Sequence, residues 1–140
     1  MHPPLFQPGT RYFYSNTNTI LLGLVIEKVS GVPLATFIRR FVLEPEVLAH
    51  TVFPGGAEFP SPHPQGYTGT GTIATNFNPS WAGAAGAMIS NVYDLHMWAV
   101  NVAVGKLLTP ATQRQRLRFL PVPLPGVKAG YGLGLFYDNG

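Results

Sequence analysis

Pro8-Gly9-Thr10-Arg11-Tyr12-Phe13-Tyr14-Ser15-Asn16 runs into the apolar stretch Ile20-Leu21-Leu22-Gly23-Leu24-Val25-Ile26, which closes on Glu27-Lys28-Val29-Ser30-Gly31. Ser15 or Asn16 can accept a hydrogen bond from a free N–H of a first helical turn, and Gly31 supplies the left-handed residue that ends a helix. The stretch therefore reads as a turn feeding an α-helix, with Ile20, Leu21, Leu24, Val25 and Ile26 as its apolar positions. Taken alone, Tyr14 beside such a helix start is a core or capping residue.

Working outward, Pro33 suits the first turn of a second helix. Leu34, Phe37, Ile38, Phe41 and Val42 recur there at helical spacing, Arg39 and Arg40 fall near the rim, and Pro45 is expected to stop it. From Phe53 to Ala87 the pattern dissolves into Pro, Gly, Thr and Asn, with Phe59, Tyr67, Phe77 and Trp81 at intervals. A loop of that length in a compact domain is a lid, a binding segment or a lining held by contacts, and short strands can hide within it. Ser90 or Asn91 caps a third helix with Asp94 in its first turn. Its apolar stripe is Leu95, Trp98, Ala99, Val102 and Ala103, ending at Gly105. Thr109-Pro110 opens a fourth. Beyond Pro121-Val122-Pro123-Leu124-Pro125, the residues Tyr131, Leu133, Leu135 and Tyr137 alternate as on one face of a single strand. Asp138-Asn139-Gly140 then gives a hairpin-turn signal with no second strand after it, which reads either as truncation or as a frayed tail.

Composition narrows the function classes. A length of 140 residues is one ordinary domain, and 46% hydrophobic content can bury a core. Only 11% of residues are charged, against about a quarter in a typical soluble domain, which implies apolar surface turned toward something other than water. The net charge of +3 comes from nine scattered Lys and Arg; Arg114, Arg116 and Arg118 would spread around a helix, so no nucleic-acid partner is expected. There is no cysteine, no signal-like N-terminus at Met1-His2-Pro3-Pro4, and no apolar run long enough for a transmembrane segment, since Ile20–Ile26 meets Glu27-Lys28.

His2, His50, His63 and His96 lack metal-ligand spacing, and Asp94-Leu95-His96 reads as a solvated turn rather than a metal site. No Gly-x-Ser-x-Gly elbow, His-Glu-x-x-His helix or phosphate-binding loop occurs. Neither a metal nor a cofactor is expected.

Tyr14-Ser15-Asn16, with the Pro-Gly turn before it and the helix after it, resembles the second motif of the serine β-lactamase-related family, which includes class C β-lactamases, DD-carboxypeptidases and penicillin-binding-protein-like esterases. Later segments keep the family's order. Leu43-Glu44-Pro45 with His50-Thr51 resembles a Glu-Pro-Leu-Gly-Met…Thr segment, from which Glu46, Val47 and Leu48 depart. Gly86-Ala87-Met88-Ile89-Ser90 with Asp94-Leu95 resembles the entry to the next helix. Gly105-Lys106-Leu107-Leu108-Thr109-Pro110 and Tyr131-Gly132-Leu133-Gly134 also match.

The resemblance implies an α/β domain with a helical insertion and an active site between them. On that basis the chain is expected to be mainly α, with a long irregular loop and short strands. It would be the helical subdomain of the β-lactamase/transpeptidase-like fold truncated at both ends: a single partial domain over 1–140, with 126–140 starting the returning sheet. By the same resemblance Tyr14 relays the proton of a serine nucleophile and Asn16 binds the catalytic lysine and the substrate amide. Tyr67, Phe77 and Trp81 of the long loop are the candidate substrate-binding residues. A weak nucleophile such as serine needs such a relay, and a phenol can serve when nearby cations favour its ionised form.

Ser-x-x-Lys is absent from these residues, and the third family motif, His-x-Gly or Lys-Thr-Gly, is expected after Gly140. Lys128-Ala129-Gly130 has a similar form but is placed before the strand and read as a decoy. The expected function is that of a piece of a serine hydrolase acting by acyl-enzyme formation on β-lactams, D-alanyl peptides or esters, inactive by itself. The alternative is a non-catalytic binding module for a peptidoglycan-like peptide or a protein. Self-association or a companion chain is expected to cover exposed apolar surface, and the resemblance implies a bacterial protein, exported or membrane-attached.

Overall fold

Ser15 is extended (φ −152°, ψ 129°) and its hydroxyl accepts from the Thr17 N–H at 3.3 Å, which starts helix α1 (Asn16–Ser30). Gly31 ends it in the left-handed region (φ 73°), returning its N–H to the Glu27 carbonyl. In this computed structural model, which describes residues 3–139, the chain forms two compact units: Ser15–Val104, and Met1–Tyr14 with Gly105–Gly140. It is mostly helical, with one small antiparallel sheet.

In the unit Ser15–Val104, the Glu27 carboxylate accepts from the Leu34 N–H at 2.8 Å and so caps the next helix, α2 (Leu34–Ile38). Pro45 does not stop this helix. A π turn over Arg39–Leu43, in which the Glu44 N–H reaches back to the Arg39 carbonyl, leads into a last turn, α3 (Glu44–Glu46). The wider turn gives the proline ring room where an α-turn would press it on the carbonyl four residues back. Val47 then closes the helix at φ 59°, a left-handed conformation that a β-branched side chain rarely takes.

The long loop is closed at its base by a backbone pair, Val52 with Ile89, with N···O distances of 2.9 and 3.0 Å. Inside it, Tyr67 pairs with Ile73 in a short hairpin, and Pro79–Ala85 forms a 3-10 segment capped by Asn78 and kinked at Gly83 (φ 48°). The expectation of order through contacts, with short extended pieces hidden in it, therefore describes this stretch.

Helix α4 (Val92–Val104) is capped by Asn91, whose side-chain oxygen accepts from the Asp94 N–H at 2.8 Å. Its buried positions are Asp94 and Asn101, whereas Leu95 and Trp98 of the expected apolar stripe are exposed. The core of this unit is small, centred on Leu43, Leu48 and Ala87. Leu21, Leu22, Val25 and Val29 of α1 face outward; the close approach of α1 is made at Gly23, where an added Cβ would lie 2.8 Å from the Ala84 Cβ. Among the described residues no single helix is long and apolar enough to cross a membrane.

In the other unit, Thr109 caps helix α5 (Pro110–Arg116) as expected. The C-terminal stretch differs from the single alternating strand. Strands β1 (Leu120–Leu124), β2 (Val127–Tyr131) and β3 (Phe136–Asp138) form an antiparallel sheet in that order, with Val122 opposite Ala129 and Gly130 opposite Tyr137. Tyr131 and Tyr137 thus belong to neighbouring strands, because Gly132–Leu135 turns the chain, with the Gly132 N–H bonded to the Leu135 carbonyl. Lys128-Ala129-Gly130 lies inside the middle strand and not before the strand. The last strand is paired, with β2, so the unpaired-strand reading is corrected. Gly140, on which the Asn-Gly turn reading depends, lies outside the described residues. Val122 and Ala129 supply the buried apolar contacts of the sheet.

Candidate functional site

Three consecutive residues have distinct structural duties at the start of α1. Ser15 is committed to the cap, Asn16 is the first helical residue and its carbonyl accepts from the Thr19 hydroxyl at 2.9 Å, and Tyr14 precedes them with its side chain exposed. Tyr14 belongs to the unit that also holds the sheet and Asn16 to the helical unit. Exposure leaves the Tyr14 phenol accessible for proton exchange, and an amide at the first helical position can both donate and accept.

Upstream of Tyr14, the Pro8-Gly9 turn is held by Gln7, whose carbonyl accepts from both the N–H and the hydroxyl of Thr10, the latter at 2.6 Å. Tyr12 packs on Tyr131 with ring centroids 5.1 Å apart. That contact fixes the segment leading to Tyr14 onto the end of β2, and a hollow of about 300 Å³ beside it is walled by Arg11, Tyr12, Leu120 and Tyr131.

The loop candidates divide. Phe77 and Trp81 meet edge to face, with centroids 5.9 Å apart and planes at 87°, while Tyr67 stands on its own hairpin opposite Ile73. All three are exposed, Trp81 at 68%. Trp81 also walls a hollow of about 220 Å³ with Ile20, Gly23 and Leu24 of α1. Residues 16, 20, 23, 24 and 27 recur at helical spacing on one side of α1, so the 3-10 segment packs along the side of the helix that begins with Asn16. At about 1.5 Å of rise per residue, Ile20 and Leu24 stand roughly 6 and 12 Å along the axis from Asn16.

The reading of Asp94 as part of a solvated turn is overturned. Its side chain is 1% exposed, and one carboxylate oxygen accepts from the His50 N–H and the Thr51 hydroxyl, each at 2.8 Å, with Ser90 bonded to the same hydroxyl. His96, by contrast, is exposed. Asp94 ties the start of α4 to the segment after α3, and its partners lie too far away in sequence for spacing to reveal them. Glu27, which holds the entry to α2, could have been found from its place seven residues before a Pro33-capped start. Among the described residues no three acidic or histidine side chains come together to hold a metal ion; His2 lies outside them.

Comparison with known proteins places this geometry among relatives. The family model described as Beta-lactamase matches residues 1–140. A D-stereospecific amidohydrolase from Streptomyces sp. superposes with a TM-score of 0.86 at 35% identity, covering 96% of this chain and 42% of that one. A D-amino acid amidase from Ochrobactrum anthropi SV3 gives a TM-score of 0.78 at 25% identity, covering 94% and 41%. A candidate D-alanyl-D-alanine carboxypeptidase of Escherichia coli strain K12 is 39% identical over 51 residues, which is 36% of this chain and 12% of that protein. The chain therefore spans well under half the length of each of these relatives.

Proposed function

Because the chain belongs to the beta-lactamase family of serine hydrolases, we propose that residues 1–140 are the helical portion and the first returning strands of a hydrolase that forms an acyl-enzyme on the carbonyl of a D-amino acid residue. The observation that carries this reading is Tyr14-Ser15-Asn16 at the capped start of α1, within a family match covering the whole chain. The names of the three relatives share a D configuration, with a D-amino acid or D-alanine printed in two of them and an amide-cleaving activity in the third, and that common element supports the substrate class.

In this mechanism the serine hydroxyl, contributed by a Ser-x-x-Lys outside these residues, attacks the substrate carbonyl. Its proton passes through Tyr14 to the leaving amine, and water later cleaves the ester. Asn16 holds the lysine and the substrate amide in register. Trp81 and Phe77 offer an apolar wall to the substrate side chain along α1.

The test is to combine the chain with a family segment bearing Ser-x-x-Lys and to measure acylation by a fluorescent penicillin and hydrolysis of D- and L-phenylalanine p-nitroanilide. Acylation with a preference for the D-enantiomer is expected. Binding of a D-peptide with no acylation under any combination would replace the hydrolase with the alternative, a non-catalytic binding module.

A further inference from the structure

The Asp94 carboxylate has more hydrogen-bonding capacity than the fold uses. Its Oδ2 accepts from the His50 N–H and the Thr51 hydroxyl, each at 2.8 Å, while Oδ1 accepts nothing from the described residues. No lysine or arginine among the described residues pairs with it, although its side chain is 1% exposed. A carboxylate so far from water is costly unless a cation or further donors reach it.

Asp94 stands in the wall of a hollow of about 380 Å³ inside the unit Ser15–Val104. Ile38, Val42, Met88, Leu95 and Trp98 make much of that wall apolar, and Ser90 and Thr51 join Asp94 on its polar edge. Tyr14, Asn16, Phe77 and Trp81 are not part of it. The polarity of the edge follows from its hydrogen bonds. Thr51 gives its hydroxyl hydrogen to Asp94, so its oxygen accepts the hydrogen of Ser90, 2.8 Å away. These three side chains are left with lone pairs and no hydrogen to give, so whatever fills the hollow must bring the donor.

We propose that this hollow binds a small organic ammonium, a protonated amine on an aliphatic or aromatic body. The ammonium donates to Asp94 and Ser90 in charge-assisted hydrogen bonds, and the body displaces water from Val42, Leu95 and Trp98. The volume lies in the range of about 300–1,000 Å³ usual for small-molecule sites. A bare divalent cation asks for about six oxygen ligands, which this mostly apolar wall does not supply. A carboxylate ligand would meet a like charge.

The experiment titrates phenethylamine into the full chain at neutral pH and follows backbone and indole N–H signals by NMR, beside 2-phenylethanol, ethylamine and 3-phenylpropanoate. Phenethylamine should shift the amides of His50, Thr51, Ser90 and Leu95 and the indole of Trp98. The alcohol lacks the charge and ethylamine lacks the body, so each should bind at least about tenfold more weakly, and the carboxylate should not bind. Asp94→Asn should weaken phenethylamine by about 10- to 100-fold. Leu95→Trp, at a 55% exposed position outside the Asp94 hydrogen bonds, should fill the hollow and abolish the shifts. Circular dichroism checks that each variant keeps its fold; should Asp94→Asn lose it, the ligand series and Leu95→Trp decide. Binding of 3-phenylpropanoate as tight as that of phenethylamine overturns the proposal, as do shifts confined to Tyr14, Asn16 and Trp81. The same shifts on concentrating the protein without amine would also overturn it, by giving the hollow to a basic side chain of a second copy.

Discussion

The Thr51 hydroxyl donates to the Asp94 carboxylate at 2.8 Å across forty-three residues of sequence. Together with the His50 N–H on the same oxygen, it pins the chain leaving α3 to the first turn of α4. Hydrogen bonds to a charged group are worth about 1.5–3 kcal/mol each, and removing the carboxylate deprives the His50 N–H of its partner and leaves the Thr51 hydroxyl with Ser90 alone. Asp94→Ala should therefore lower unfolding stability by about 3 kcal/mol in a urea titration, and Asp94→Asn by less. An unchanged midpoint would show that the link is not stabilising.

Val47 holds the left-handed backbone position that ends α3, and its side chain is 73% exposed. Glycine occupies that region without the clash between Cβ and carbonyl, which costs about 1–2 kcal/mol. Val47→Gly is expected to stabilise the chain by about 1 kcal/mol, offset in part by glycine's extra freedom when unfolded. Calorimetry should show a higher Tm; a fall would mean that Val47 packs on something its exposure does not reveal.

At Gly23 two effects oppose each other. Alanine favours a helix interior over glycine by about 1 kcal/mol, but its Cβ would press on Ala84 at 2.8 Å and on Leu34 at 3.0 Å. The overlap should win, so Gly23→Ala should destabilise the α1 packing and Gly23→Val should do so more. Gly132→Ala should be worse tolerated, since its Cβ would meet the Arg116 carbonyl, a backbone atom with little freedom to move. Thermal melts of the three variants give the order.

Tyr14→Phe removes the phenolic hydroxyl and keeps the ring. If Tyr14 relays the proton, acylation in the reconstituted hydrolase should slow by about 10²–10⁴-fold, the usual range for a positioned acid–base group. A rate within a factor of about two of the parent would remove Tyr14 from the chemistry.

Trp81→Ala should raise KM for substrates with an aromatic side chain more than for D-alanyl ones, with little change in kcat, because it removes contact area and no reacting group. Equal effects on both substrates would argue against a side-chain wall.

Helix starts and stops were legible in the sequence because their causes are local: Ser15, Gly31, Asn91 and Thr109 each act within a few residues. The course past Pro45 was not, since a π turn leaves no signature in hydrophobic spacing. Strand β1 was hidden by Pro121 and Pro123, which read as loop, and its partners had to be known before it could be seen as a strand. Asp94 looked like a helix-dipole residue because its partners, His50 and Thr51, are remote in sequence. Tyr14 and Asn16 stand out as candidates only through the order of motifs along the chain; neither has an unusual local pattern.

Pro121 and Pro123 sit at alternate positions of the outermost strand, opposite Gly130 and Lys128. In an antiparallel pair such positions direct their backbone nitrogens to one side, and two prolines fit only where that side is the free one. The margin of the sheet beyond β1 consequently offers carbonyl oxygens but no N–H at those two positions. An incoming strand would find half of its ladder missing there, which makes β1 a terminus for sheet growth and a barrier to fibre-like stacking of copies. Any further strand, from this chain or another, is directed to the margin formed by β3.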